Sequence, residues 1–309
     1  MKRSIFIIQS LFLPLLLSAQ VLKERRVYYL DCSYSMVKPN KIWGEVRDNL
    51  KNAIDNVSEE TTELMVIPFA FDMQHHHSLN SISGYATPEG KAMIKKKIDG
   101  LTTTPNTMTF HCDPLNDFYT NRVAHDKVTY MFFMTDGEDE DSNHNTVKNL
   151  LPQWGKRYGN KNVFGFYVIL HDSAKNKNVE KIIGEQEHLW KVETADVNIN
   201  LIRLQNHAVF NVRNDKYFDL PIYGNANNVK FNASFPSSSP LQVESISVKG
   251  NHLRINVSCK QNIHQLPVSS DYPLNISVTG LGKYDFLVTD KVMVNCVSKP
   301  ERSLKILVR

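Results

Sequence analysis

The chain is poor in the features that carry the commonest chemistries. No Gly-rich phosphate loop, no Cys-x-x-Cys pair and no Ser/His/Asp order stands out along its 309 residues. Phosphate cradling, dithiol exchange and triad hydrolysis therefore have no visible carrier. The formal net charge is only +4, which gives no reason to invoke nucleic acid or an anionic membrane surface. Past the N-terminus no apolar stretch reaches the roughly 20 residues that a membrane span needs. There is no internal repeat, no long disordered tract, and only four cysteines.

What is present is ordinary globular material, 41% hydrophobic and 22% charged, in a length that suggests about two domains. The first 19 residues read differently. Met1-Lys2-Arg3 is a basic start, Ile5 to Leu17 is almost wholly apolar apart from Pro14, and Leu17-Ser18-Ala19-Gln20 ends in small residues. This is the layout of a secretory signal peptide (residues 1–19) cleaved near Ala19. The expected protein is exported: periplasmic, cell-surface or secreted, with no transmembrane segment in the mature chain. Export makes disulfides admissible. Cys259 and Cys296 each close an alternating apolar series, so a bridge between them across two sheets is expected, with buried free thiols as the alternative.

From about residue 26 to 204, apolar β-rich runs alternate with amphipathic helical stretches. The strand-like runs are Val27–Leu30, Thr62–Phe71, Val128–Met134, Val163–Leu170 and Leu189–Val192. Between them, helical spacing places Ile42, Val46, Leu50, Ala53, Ile54 and Val57 on one face, then Met93, Ile94, Ile98 and Leu101 on another. Thr87-Pro88-Glu89 and Asp113-Pro114 mark helix starts. Val147, Leu150, Leu151, Trp154 and Tyr158 mark a further helix, which Pro152 kinks or splits, and residues 179–187 mark the last. Continuous apolar strands alternating with helices predict a doubly wound, mainly parallel α/β sheet, Rossmann-like, over 26–204. After residue 205 only period-two alternation remains, in Val229–Phe235, Leu253–Cys259, Leu274–Val278, Val292–Cys296 and Leu304–Val308. That pattern predicts an all-β, immunoglobulin-like sandwich over 205–309.

The chemistry concentrates at strand ends. Val27-Tyr28-Tyr29-Leu30 delivers Asp31 to the end of a buried strand, and Ser33 and Ser35 come next at alternate positions. Tyr130 to Met134 is a second buried strand, ending in Thr135-Asp136-Gly137. Thr109 precedes a helix opened by Asp113-Pro114. Asp-x-Ser-x-Ser, a threonine before a helix, and Asp-Gly after a strand, in that order, resemble the metal-ion-dependent adhesion site of von Willebrand factor A (integrin I-like) domains. The resemblance covers residues 26–204. It implies a site in which Ser33, Ser35 and Thr109 offer hydroxyl oxygens and Asp31 and Asp136 act mostly through water. The ion it implies is Mg²⁺, with Mn²⁺ or Ca²⁺ not distinguished. Hard cations take such oxygen donors. Met108 stands where the family has a small residue, and Thr107 is a rival for Thr109. If both loops converge on one ion, Cys32 and Cys112 come close, and a bridge between them is the second disulfide expected here. The alternative is that Cys32 merely fills a small residue's place.

Three features here admit a rival or plainer explanation: the aspartate after a strand, a histidine run and an acidic run. Phosphatases and phosphotransferases of the haloacid dehalogenase type also begin with an aspartate after a strand, but need a second carboxylate where this chain has Ser33. His75-His76-His77 fits an exposed loop better than a metal site, because consecutive side chains diverge. Glu138 to Asp141 reads as a solvated acidic turn, with Glu138 or Asp139 able to modulate ion affinity. The function implied is non-enzymatic. An exported binding or adhesion protein would use a divalent cation to recognise a protein or glycan carboxylate. The alternative is a structural or assembly subunit of an envelope complex in which the metal site is regulatory or vestigial.

Overall fold

A computed structural model describes residues 23–38, 41–72, 80–103, 107–124, 127–137, 139–140, 145–169, 177–195, 203–204, 207–223, 228–267 and 269–295. The expected signal peptide, the His75–His77 run, Cys296 and the strand over 304–308 lie outside the described residues.

The first half is a mixed α/β structure on a mainly parallel sheet. Its strands are β1 (Lys23–Asp31), β2 (Glu63–Phe69), β4 (Ile82–Tyr85), β6 (Lys127–Thr135), β7 (Val163–Ile169) and β8 (Leu189–Val192), in the order β4-β2-β1-β6-β7-β8. All neighbours pair in parallel except the edge strand β4, which runs antiparallel to β2. Two short strands, β3 (Phe71–Asp72) and β5 (Thr107–Met108), form a separate antiparallel pair above the sheet's end.

The apolar runs are continuous because the sheet is buried on both faces. Alternate residues of β1 serve different cores. Tyr28 and Leu30 join the core that includes Val46, Leu50 and Ile54 of α1 (Trp43–Asp55) and Ile94 and Ile98 of α2 (Pro88–Asp99). Val27 and Tyr29 join the opposite core, with Leu115 of α3 (Cys112–Asp117), Trp154 and Tyr158 of α4 (Trp154–Tyr158), and Val179 and Ile183 of α5 (Lys177–Gly184). Helix α2 starts where its signals place it: Pro88 is its first residue, and the Thr87 side chain accepts the Gly90 N–H. The helix expected over 147–158 is split at Pro152. A wide π turn (Thr146–Leu150) passes through a tight 3₁₀ turn (Leu151–Gln153) into α4, because proline has no N–H for the ladder.

The second half holds two four-stranded sheets. One has the order β10-β16-β15-β12, from β10 (His207–Asn211), β16 (Phe286–Asn295), β15 (Ser269–Thr279) and β12 (Lys230–Ser234). The other has the order β13-β14-β11-β9, from β13 (Leu241–Lys249), β14 (His252–Cys259), β11 (Tyr217–Tyr223) and β9 (Arg203–Leu204). Strands β10 and β16 pair in parallel. The alternating residues Leu253, Ile255 and Val257 face Leu274, Ile276 and Val278 within one shared core.

That core continues into the first half. Phe164 of β7 meets Phe286 of β16 with ring centroids 5.3 Å apart, and Trp190 of β8 meets Tyr284 at 5.5 Å. The Thr289 N–H donates to the Asn160 carbonyl at 2.9 Å. These contacts gather at the amino ends of β7 and β8. Asp31 and Asp136 lie at the other, carboxyl end of the sheet.

Neither expected disulfide is formed. Cys32, Cys112 and Cys259 take part in no disulfide. Cys32 and Cys112 pack against cores on opposite faces of the sheet, so convergence of their loops does not bring the sulfurs together. The Cys32 thiol points back at the Leu30 carbonyl. Cys259, the last residue of β14, is half-buried and unbridged.

Strand β7 leaves no room at Gly165, where a Cβ would come within 2.5 Å of Leu189 Cδ1 and 2.6 Å of Trp154 Cζ2. Gly165→Ala should therefore destabilise the fold by about 1–3 kcal/mol, as overpacked core sites do. The check is the shift in urea midpoint at constant m-value.

Candidate metal centre

The site forms where β1 and β6 end side by side. Leu30 pairs with Met134 across the two strands, so Asp31 and Thr135 are next to each other. The Thr135 hydroxyl donates to Asp31 Oδ2 at 2.8 Å, and the Gly137 N–H donates to the Thr135 Oγ1 at 3.1 Å. Gly137 has φ 94°, a left-handed conformation that glycine takes without steric cost, and it turns the chain immediately after Asp136.

The first loop folds back on Asp31. Its Oδ1 accepts the Ser33 N–H at 2.8 Å, and the Ser33 and Ser35 hydroxyls lie 2.9 Å apart. Tyr34 to Met36 then makes a short 3₁₀ turn with Ser33 at its start. The Ser33 side chain does not cap that turn, so the hydroxyl is not spent on helix capping.

The second loop is tied to the other two. The Tyr34 N–H donates to the Thr107 Oγ1 at 3.2 Å, which links it to the first loop. Thr109 and Glu140 clamp each other: the Thr109 N–H donates to Glu140 Oε2, and the Glu140 N–H donates to the Thr109 carbonyl, both at 2.8 Å. The His111 N–H donates to Asp139 Oδ1 at 3.2 Å. Thus Asp139 and Glu140 of the acidic run are fasteners of the second loop as well as solvated charges, which corrects the expected role of that turn. Glu138 and Asp141 lie outside the described residues. The two candidate threonines differ in hydrogen bonding. Thr107 Oγ1 serves the Tyr34 N–H, whereas Thr109 Oγ1 is buried without a hydrogen-bond partner among the described residues.

Asp31, Ser33, Thr109, Thr135 and Asp136 are all essentially closed to solvent. Burial, and after it the charge of Asp136, push the Asp31 carboxyl up to about 7, while hydrogen bonds from Ser33 and Thr135 pull it down. None of those compensating groups is a cation. A buried polar atom without a partner costs on the order of 1–3 kcal/mol, and two like charges nearby add a Coulomb penalty. Two carboxylates, two paired serine hydroxyls and an orphaned threonine hydroxyl form an all-oxygen set, which fits a hard divalent cation rather than a soft one.

Three residues in the surroundings carried no clear sequence signal. Thr135 is read from sequence only as the end of a strand, yet it bonds Asp31. Glu140 is read as solvated. His111 is completely buried, with its ring 4.8 Å from that of Phe133 and 5.9 Å from that of Tyr167. Burial lowers its pKa, against the charges of Asp139 and Asp136.

No protein-family model matches the chain, and no curated relative does. Among solved structures, similar chains include proximal thread matrix protein 1 from the mussel byssus (15% identity, TM-score 0.41, covering 62% of this chain and 53% of that one). Another is a von Willebrand factor type A protein from Catenulispora acidiphila (12% identity, TM-score 0.43, covering 89% and 67%). A third is the pilus adhesin SpaC from Lactobacillus rhamnosus GG (15% identity, TM-score 0.42, covering 88% and 44%). The chain thus spans about half the length of the first of these. Likeness at this level is too slight to carry a function across. Among the described residues no helix is long and apolar enough to cross a membrane.

The folded pKa of Asp31 lies above its ordinary value near 4, so the stabilising protonated form is fully present below that value and is lost as pH rises through about 7. In chelator at pH 8, Asp31→Asn should therefore raise stability by about 1–3 kcal/mol, with little effect at pH 4. Thermal unfolding of both proteins at the two pH values reads this directly.

Proposed function

We propose that this chain is a von Willebrand factor A-type protein that holds a divalent cation, Mg²⁺ or a close substitute, through Asp31, Ser33, Ser35, Thr109 and Asp136. Its role on this reading is binding rather than catalysis. The observation that carries it is the burial of two carboxylates, Asp31 and Asp136, at the carboxyl ends of adjacent strands, together with a Thr109 hydroxyl that is buried without a hydrogen-bond partner among the described residues. In mainly parallel sheets that end is where ligands bind.

The division of labour rests on charge. Asp31 and Asp136 supply the anionic field that makes a dication favourable there. Ser33, Ser35 and Thr109 are neutral donors, so a bound ion would keep positive charge for an external anion. The bound cation supplies Lewis acidity toward an oxygen anion, and the fitting ligand is a protein or glycan carboxylate. Thr135 holds Asp31 in place, and Glu140 holds the Thr109 loop. This reading also takes the first half as a doubly wound adhesion-type domain, the second as an immunoglobulin-like sandwich, and the protein as exported. In the competing assembly-subunit reading, a partner docks on the second half and the metal site is regulatory or vestigial.

Calorimetry with Mg²⁺ tests the site, and the metal dependence of partner capture separates the two readings. Wild type should bind Mg²⁺, and Asp31→Ala and Asp136→Ala should lose at least about tenfold in affinity while keeping the native far-UV circular dichroism. Thr109→Ala should lose less, because water can take the hydroxyl's place. Capture of a partner from the native envelope should stop in chelator and be competed by glutamate-containing peptides. Equal Mg²⁺ affinity in wild type and Asp31→Ala, or capture that persists in excess chelator, would refute the proposal.

A further inference from the structure

His188 is only 3% exposed and has φ 58°, a left-handed backbone that few non-glycine residues take. Its carbonyl accepts the Gly165 N–H at 2.8 Å and the Trp154 Nε1–H at 3.1 Å, which fixes the residue against β7. Its ring stacks on Phe164 with centroids 4.9 Å apart and lies 6.3 Å from Trp190. On its other side it meets Phe286 of the second half edge-on at 6.1 Å. It is therefore a polar ring in the aromatic seam that joins the two halves. Neither ring nitrogen has a hydrogen-bond partner among the described residues.

We propose that His188 is a proton-operated latch: the neutral imidazole holds the first half's aromatic seam against Phe286 and Tyr284, and protonation loosens the second half from the sheet.

The surroundings decide the direction. Burial lowers the pKa of the ring, and backbone groups of Val163 in β7, Lys161 in the loop before it, Leu287 of the second half and Tyr158 at the end of α4 raise it by a smaller amount. The titratable residues on the adjoining segments are Tyr158 and Lys161 before β7, Glu187 and Lys191 flanking His188, and Tyr284 and Asp285 before β16. No carboxylate figures among the groups acting on the imidazole, so a charged ring would sit between aromatic rings with backbone carbonyls nearby and no counter-ion. Burial accordingly depresses the docked pKa to about 4. In an opened form the ring would titrate near the ordinary value of about 6.5. The open form then binds the extra proton, so docking is unaffected above pH about 6.5 and weakens as pH falls toward about 4. Between pH 7.5 and pH 5 the open population should rise roughly 25-fold. The cation plays no part, and the Asp31 site lies at the opposite end of the sheet.

Hydrogen–deuterium exchange of the full chain in chelator at pH 7.5 and pH 5, corrected for intrinsic exchange rates, tests this. Segments 158–164, 186–192 and 284–289 should lose protection roughly 25-fold at the lower pH. Segments 27–31 and 128–134 should not. His188→Asn keeps a residue that tolerates the left-handed backbone and removes the charge, so its seam should open equally at both pH values. Unchanged protection of the wild-type seam at pH 5, or the same pH response in His188→Asn, overturns the latch. Should that variant fail to fold, NMR titration of the wild-type imidazole replaces it. A midpoint below about 5 supports the latch, and one near 6.5 with the seam still protected overturns it.

Discussion

Asp31 and Asp136 bring two carboxylates into a closed pocket at the ends of neighbouring parallel strands, and the surrounding loops are arranged around that burden. Strand pairing brings the two strand ends together, because β1 and β6 run in register up to Leu30 and Met134. Compensation within the protein is incomplete. Ser33 and Thr135 donate hydrogen bonds to Asp31, yet its carboxyl still rises to about 7. Hydrogen bonds to a carboxylate lower its pKa, and here burial outweighs them. Natural proteins tolerate local conflicts of this kind mainly where function uses them.

The loops that surround the pocket are fastened to each other rather than to the helices alone. Tyr34 ties to Thr107, Thr109 to Glu140 and His111 to Asp139. Each bond joins segments distant in sequence, so the oxygen donors are positioned by the sheet and its loops together. At the far end of the same sheet, β7 and β8 present Phe164, Phe166 and Trp190 to the second half instead of to a helix. The second half thereby completes the core on that part of the face, and the carboxyl end stays clear of this contact.

Much of this was legible in the sequence, for definable reasons. Strands β1, β6 and β7 are continuous apolar runs because they are buried on both faces, and periodicity reads such runs well. Thr87-Pro88 located the start of α2, and Pro152 located the break before α4. Strand β11 was not legible, since Pro221 inside Tyr217–Tyr223 argues against a strand. Strand β4 was hidden by Ser83 and Gly84, and β13 by its mostly polar, partly exposed residues. At the site, Asp31, Ser33, Ser35 and Asp136 could be named because their spacing places them at strand ends. Thr109 could be named but not separated from Thr107, because that distinction rests on which hydroxyl the Tyr34 N–H occupies. The roles of His111 and Glu140 depend on contacts about 30 residues apart in the chain, which no local pattern encodes. The cysteines misled for a related reason. Closeness of two loops does not fix which face of the sheet each side chain enters, and Cys32 and Cys112 enter opposite ones.

Anomalous diffraction from crystals grown with Mn²⁺ tests whether these oxygens surround a cation. One strong peak is expected in contact with the hydroxyl oxygens of Ser33, Ser35 and Thr109, at roughly 2.0–2.2 Å, with Asp31 and Asp136 around it. Crystals in saturating Mn²⁺ that show no peak there, with the Thr109 hydroxyl bonded to a protein group, would contradict it.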